Sequence, residues 1–374
     1  LVAHLGVKLL KRDPALASNQ VDGHELFMHG ARRVDADIYV QALCTSPFLE
    51  SETIDEAVRR VRKGEADSVI AGIRKKEYAW TNGEPDYGWG RIPNSTELEA
   101  KWVEGMCLYV VEGTVAHEKG RRFSCQPNFI ELKPKEAVDV NESGDFELAQ
   151  MIAAGQRERQ VQELQLLRSE LSTALVSDVL TEYGYETSVS ALTLNIPGKK
   201  VFGRCKTLAL RMLNEGEDYR GIYDSLDLYS SVVPGDVIVV DNKKTNGSAF
   251  FGDLNARLAV RSGAVGSVID GATRDTSRVS ALDFPVFSRS RSSRDVKMRG
   301  TVSGMGIPVD IGGVTVHEGD LIFGDDDGVV VIPKRVISDV QNRAVEIVGQ
   351  EQKVVQRLLE GKQAREIYRS EGEF

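Results

Sequence analysis

The sequence predicts an α/β protein of two domains, and three observations carry that reading. The chain has 374 residues, more than one hydrophobic core usually serves. In its first 155 residues, apolar runs of strand length alternate with segments of helical spacing. Beyond that point, many short Val/Ile runs are separated by glycine turns, the pattern of a β-rich domain with few helices. The composition, 41% hydrophobic and 28% charged with 35 Gly and 11 Pro, excludes collagen-like, low-complexity and wholly disordered chains.

The elements are read in order. Residues 34–48, VDADIYVQALCTSPF, form a short strand running into a turn closed by Pro47. Ile54, Ala57, Val58 and Val61 fall at helical spacing between Thr53 and Lys63, and DSVIAG at 67–72 is again a strand. Strand, helix, strand at this spacing predicts a parallel sheet. Trp80 to Pro93 reads as a long surface loop, followed by strands at Met106–Val111 and 130–132. A charged, Gln-rich helix beginning near Gly155 links the domains, and its continuation from Leu164 to Leu180 belongs to the second. The chain closes on one long helix, Val336 to Tyr368, with a single apolar stripe. The domains are 1–157 and 158–374.

Composition also narrows function. A net charge of -9 disfavours a broad nucleic-acid surface and leaves room for a local anion site. The longest apolar runs, such as Val237–Val240, are too short to span a membrane, and no leader-like segment opens the chain. Cys44, Cys107, Cys125 and Cys205 are scattered without a C-x-x-C pair, which fits a reduced, cytoplasmic protein. No H-E-x-x-H or G-x-S-x-G occurs, so a metal here would be a hard cation on carboxylates and water. The first residue is Leu1 rather than Met, which suggests a fragment or a processed product.

The most informative segment runs from 247 to 290: a glycine-rich turn, a helix from Leu254 to Ser262, a buried strand from Val265 to Ile269, then the turn DGATRD. Turns at the ends of a helix and a following strand return to one sheet edge, so Gly252-Asp253-Leu254 can lie beside Arg274-Asp275. Free N–H groups at the helix start suit a carboxylate or oxyanion. Arg274 can hold a carboxylate or keto oxygen bidentately, and Asp275 can hold Mg²⁺ or Mn²⁺ largely through waters. Plainer readings stand beside these: Asp253 as a dipole-favoured helix residue and Arg274-Asp275 as a surface ion pair. Asp270-Gly271 reads as a turn dipeptide. Lys243 and Lys244 read as solvated turn residues, and Asp325-Asp326-Asp327 as a turn before a strand.

The spacing Asp253, twenty residues, Arg274-Asp275 resembles the active-site motif of the class II 4-hydroxy-4-methyl-2-oxoglutarate aldolases, grouped with the regulator of ribonuclease activity A proteins. The resemblance runs from STALVSDVL at Leu171 through VVPGDVIVVD, GDLNARLAVRSGAVGSVIDGATRD and DFPVFSRS to GGVTVHEGDLIFGDDDGVVVIP, roughly half the chain. It implies a ββα swivelling-type domain, a homotrimer, and retro-aldol cleavage of a 2-keto acid to pyruvate with oxaloacetate decarboxylation as a side activity. By position, Gly252, Asp253, Leu254 and Asn255 would bind substrate, Arg274 the pyruvyl unit, and Asp275 the divalent metal, with Asp253 in the acid/base network. Family members lacking the Arg-Asp pair tend to be regulators without lyase activity; this chain keeps both. TSRVSALDF departs from the acidic residue often found after the pair.

Residues 34–155 resemble the acylneuraminate (CMP-sialic acid) cytidylyltransferases through DADIYVQALCTSPFL, TIDEAVRRV, DSVIAG, GRIPNS and VDVNESGDFELAQMIAAG. This implies a partial, Rossmann-like nucleotidyltransferase domain that joins CTP to a sugar acid, with Asp139 and Asn141 where a metal-binding aspartate pair is expected. The same residues also read as a helix N-cap cluster. No glycine-rich nucleotide loop precedes HLGVKLLKRDPALASNQ, so the chain as given is expected not to transfer cytidylyl groups. Two further readings stay open: a CMP-sugar-acid synthetase as the main activity of a complete gene product, and a non-catalytic trimeric regulatory or binding module.

Overall fold

The computed structural model describes residues 7–18 and 20–372, and the chain divides into two compact units, Leu1–Gly155 and Gln156–Phe374. In the first unit, α1 (Gly23–Ala31) starts at Asp22, whose carboxylate accepts from the backbone N–H groups of His24 and Glu25, satisfying two of the helix's free donors. Then come β1 (Ile38–Ala42), α2 (Ser51–Arg62), β2 (Ser68–Lys75), a small hairpin of β3 (Trp80–Thr81) and β4 (Glu84–Pro85), β5 (Lys101–Glu112), α3 (Gly113–Lys119) and β6 (Asn128–Glu131). Ala57 and Val61 of α2 pack on Val69, Ala71, Leu108, Val110 and Ile130 of the sheet.

The sheet order is β1-β5-β2-β6, and this corrects the expected parallel sheet. β1 and β2 do run the same way, as the helix between them requires. The long strand β5, however, inserts between them and runs antiparallel to both, and only β2 and β6 are parallel neighbours. The result is a mixed sheet in place of the Rossmann-like arrangement. It is reached because the connection 76–100 is long enough to bring β5 back into the centre.

The helix α4 (Ser143–Glu170) contains the division between the units. The continuous helix expected from Leu164 to Leu180 is broken at Ser172, whose hydroxyl accepts from Leu175 N at 3.1 Å and starts α5 (Thr173–Glu182).

The second unit continues with β7 (Ser188–Val189), β8 (Thr193–Leu194), β9 (Val201–Met212), α6 (Leu226–Ser231), β10 (Val237–Asp241), β11 (Ala249–Phe251), α7 (Asp253–Arg261), β12 (Gly266–Thr273), α8 (Thr276–Ala281) and β13 (Val286–Arg291). It ends with β14 (Gly300–Met305), β15 (Val309–Ile311), β16 (Val314–Val316), β17 (Leu321–Asp325), β18 (Gly328–Ile332), α9 (Ile337–Leu359) and α10 (Ala364–Glu371). One mixed sheet of ten strands has the order β7-β18-β17-β9-β10-β12-β13-β8, with β11 beside β12 and β14 beside β9. β9, β10, β12 and β13 are parallel neighbours.

Both faces of this sheet are covered, which is why β10 is an unbroken apolar run. Ile238 and Val240 pack toward α6, α7 and α8, among Leu228, Ala256, Ala259 and Val279. Val237 and Val239 point the other way, toward Val309, Ile311 and Val316 of the β15–β16 hairpin. α5 and α9 pack together over β17 and β18 through Val176, Val179, Leu180, Val340 and Ala344.

One expectation changes here. The single C-terminal helix is two helices, because Gly361 adopts a positive φ of 79° and Gln363 and Glu366 form a capping box that starts α10. The Asp325-Asp326-Asp327 run turns the chain from β17 into β18, as its sequence reads, and two of its three carboxylates have structural partners. Asp325 accepts from the Thr173 N–H and hydroxyl at the start of α5, and Asp326 accepts from Gly198 N.

Candidate active site

The parallel strands β11 and β12 end side by side, and Arg274 N donates to Phe251 O at 2.9 Å where they finish. Each strand hands over directly to a helix: β11 through Gly252 to α7, β12 through Arg274-Asp275 to α8. This places Gly252, Asp253, Arg274 and Asp275 together. The Gly252 backbone is extended, so its lack of a side chain serves space rather than φ. A Cβ there would fall 2.7 Å from Asp275 Oδ2 and 3.0 Å from Arg274 Cγ. Asp275 itself sits in the left-handed region (φ 55°, ψ 31°), which aspartate tolerates better than most residues.

These residues line a cleft of about 590 Å³ together with Leu254, Asn255, Arg278, Asp295 and Lys297. Asp275 Oδ2 accepts from Asp253 N at 3.3 Å and lies 3.6 Å from Arg274 Nε. Arg274 Nη1 pairs with Asp295 Oδ2 at 2.9 Å. The buried Asp253 carboxylate faces two cations, Arg257 Nε at 3.0 Å and Arg278 Nη1 at 3.8 Å. Asn255 donates its side-chain amide to Phe250 O at 2.6 Å, fixing the strand-to-helix turn, and Leu254 is well exposed at the cleft.

The donor set tests whether a metal suits this place. Among the described residues, no group of three or more His, Cys, Asp or Glu side chains could hold an ion, so a closed protein cage is excluded there. Asp275 offers one half-exposed carboxylate, and its Oδ1 accepts no hydrogen bond from any described residue. One carboxylate oxygen with waters completing the shell is the habit of Mg²⁺, so the residues present fit a water-rich divalent cation.

Asp295, Arg278 and Lys297 escaped sequence reasoning. Asp295 reaches the cleft because its backbone bridges Ala249 of β11, with Ala249 N donating to Arg294 O and Val296 N donating to Ala249 O. A three-residue strand paired to an irregular segment leaves no periodic signal. Two other readings are corrected. Asp270 lies not in a turn but inside β12, fully buried, and accepts from Arg289 Nε and Gly312 N, each at 2.6 Å. Lys243 is not simply solvated; its ammonium pairs with Asp310 and lies 3.5 Å from Asp270 Oδ2.

In the first unit, Asn141 donates its side-chain amide to Asp139 Oδ2 at 2.8 Å, while Asp139 Oδ1 is buried without a partner among the described residues. Asp145, not Asp139 or Asn141, accepts from the backbone N–H groups of Asn141 and Glu142 beside the start of α4.

Comparison with known proteins addresses the second unit. Residues 173–331 match the RraA-like family, described as Aldolase/RraA. The match includes Gly252–Asn255 and Arg274-Asp275. The chain is 30% identical over 200 residues to Protein DlpA of Legionella pneumophila, covering 53% of this chain and 32% of that protein. It is 42% identical over 111 residues to a putative 4-hydroxy-4-methyl-2-oxoglutarate aldolase of Halalkalibacterium halodurans, covering 30% of this chain and 52% of that one. The chain thus spans only about a third and about half the length of these curated relatives. Among solved structures it is similar to Streptomyces coelicolor RraAS2, described as an unusual member of the RNase ES inhibitor RraA protein family. That likeness is 28% identical with a TM-score of 0.47, over 52% of this chain and 96% of the other. The family match and the aldolase relative support a lyase or regulator role for the second unit. Residues 1–155 lie outside the match, so their cytidylyltransferase reading stands on sequence resemblance alone. No helix among the described residues is long and apolar enough to cross a membrane.

Proposed function

We propose that the second unit is a divalent-metal-dependent lyase that cleaves a 2-keto acid to pyruvate, with oxaloacetate decarboxylation as a side activity. The observation that carries the reading is the adjacency of Arg274, Asp275 and the start of α7 around Gly252, in one cleft. Arg274 holds the pyruvyl carboxylate or keto oxygen with N–H donors. The free N–H groups at the start of α7 orient a second oxygen. Asp253, buried beside Arg257 and Arg278, anchors the water that takes the hydroxyl proton as the carbon–carbon bond breaks. The electron pair of that bond moves into the enolate, which is then reprotonated at carbon. Asp275 would hold a divalent cation, Mg²⁺ or Mn²⁺, which would supply positive charge to stabilise the developing oxyanion. Among the described residues the one lysine lining the cleft is Lys297, whose ammonium lies 5.8 Å from the Tyr219 ring centroid, so a Schiff-base route has less support.

A lactate dehydrogenase-coupled assay with oxaloacetate and 4-hydroxy-4-methyl-2-oxoglutarate tests the reading, run with Mg²⁺ or Mn²⁺ against a protein-free control. Pyruvate release above the control is expected, and its loss in Arg274→Ala and Asp275→Ala. No release above the control refutes the lyase reading. The regulator reading, which the Aldolase/RraA family match also allows, predicts unchanged partner binding in an Arg274/Asp275 double variant. Cytidylyl transfer from CTP to a sugar acid by the first unit has weaker support, because Asn141 turns its donors toward Asp139. CTP-dependent pyrophosphate release by an N-terminally extended chain would favour it. The homotrimer implied by the resemblance is checked by light scattering.

A further inference from the structure

We infer that Asp295 is a positioning residue for Arg274, holding the guanidinium so that its remaining nitrogen faces the ligand. The inference rests on the reading of the cleft as a keto-acid site. Arginine brings about 2 kcal/mol of rotamer entropy to any site it must serve, and a flexible one would spend ligand affinity on its own ordering. Here two of the three guanidinium nitrogens face carboxylates: Nε lies 3.6 Å from Asp275 Oδ2, and Nη1 lies 2.9 Å from Asp295 Oδ2. Nη2 donates no hydrogen bond to any described residue, and the side chain is about one-third exposed at the cleft.

Asp295 is itself fixed. Its Oδ1 accepts from Lys297 N at 3.0 Å, its carbonyl accepts from Arg299 Nη1 at 3.0 Å, and its backbone bridges Ala249 of β11. β11 leads straight into Gly252, so the strand that delivers the start of α7 also carries the anchor of Arg274. Asp295 ties the two halves of the site to one frame.

Removing the Asp295 carboxylate has opposed effects on ground-state binding. The cleft loses a negative charge that repels an anion, and Arg274 loses its preset orientation. Orientation in the transition state has no such compensation, because misplacing a group by about 1 Å costs on the order of a hundredfold in rate. The expected signature of Asp295→Ala is therefore a kcat lowered at least about tenfold, with KM and the affinity for oxalate, measured by calorimetry with MgCl₂ present, changed by less than about threefold. Asp295→Glu should recover part of kcat, and the melting temperature should stay unchanged.

A second readout does not depend on activity. In the ¹⁵N-labelled full chain at low temperature, the Nη–H resonances of Arg274, assigned by their loss in Arg274→Lys, should be resolved by slow rotation and collapse in Asp295→Ala and Asp295→Asn. Persistence of those resonances in both variants, or a kcat within about threefold of the parent, overturns the inference. If the parent protein releases no pyruvate, the lyase reading fails, and the resonances alone decide whether Asp295 positions Arg274.

Discussion

Replacing Asp270 by alanine should destabilise the second unit by about 3 kcal/mol. The carboxylate is fully buried within β12, accepts from Arg289 Nε and Gly312 N at 2.6 Å each, and lies 3.5 Å from the Lys243 ammonium. Removing one partner of a buried pair typically costs about 3–5 kcal/mol, because the remaining charge is left uncompensated. The lower end applies here. The Arg289 and Lys243 side chains are each more than one-third exposed or close to it, and water can replace part of what they lose, whereas the Gly312 N–H cannot turn outward so easily. For a unit of this size, about 3 kcal/mol lowers the melting temperature by roughly 6–12 °C. Far-UV circular dichroism is the suitable probe, since Trp80, Trp89 and Trp102 all lie in the first unit. Arg289→Ala should destabilise as well, and the double variant should lose less than the two singles summed, with a coupling of about 2 kcal/mol. A shift below about 2 °C for Asp270→Ala, or simple additivity in the cycle, would refute the reasoning.

Gly252→Ala should leave the fold within about 1 kcal/mol of the parent, since its backbone is extended and needs no special residue. The added Cβ pushes on Asp275 and Arg274, so pyruvate release should fall about a hundredfold; near-parental activity would contradict the geometry. Burial is the main cause that holds the Asp241 carboxyl above its ordinary value of 3.8, helped by the neighbouring Asp270. The folded state therefore binds the proton more tightly than the unfolded chain, and stability declines as pH rises from about that ordinary value through the raised folded one. Asp241→Asn should remove this decline and melt higher at neutral pH, which thermal scans from pH 4 to 7 would show. Burial also pushes the Cys107 thiol up to about 11 and the Cys205 thiol up to about 12, while Cys44 and Cys125 are exposed. A disulfide reagent near neutral pH should label Cys44 and Cys125 promptly and the other two only after unfolding; early labelling of Cys205 would count against the fold described.

What could be read from the sequence followed from local constraint. The helix entered at Asp253 and the strand delivering Arg274-Asp275 were legible because a glycine turn and an apolar run fix both ends of each element. Asp270-Gly271 misled because the same dipeptide serves turns and bulges. Here the register of β12 against β13 shifts between Ile269 and Ala272, and a Cβ at Gly271 would strike the Asn242 side chain at 2.7 Å, so the glycine marks a close approach inside a paired strand. The central place of β5 was not legible either. Its apolar run says that it is buried, and nothing local says between which strands. Asp295 belongs to the same class, for its role comes from a pairing with Ala249 across 46 positions of sequence.

The left-handed backbone at Asp275 also shapes which substitutions the chain could accept there. A position at φ 55° and ψ 31° admits glycine and asparagine at little cost, whereas a β-branched residue would strain the chain. Loss of the carboxylate through Asn or Gly would leave the handover from β12 to α8 standing. Under the lyase reading proposed above, the conformational route from a catalyst to an intact, silent scaffold would be a single conservative step, one that leaves Arg274 paired with Asp295 at the cleft.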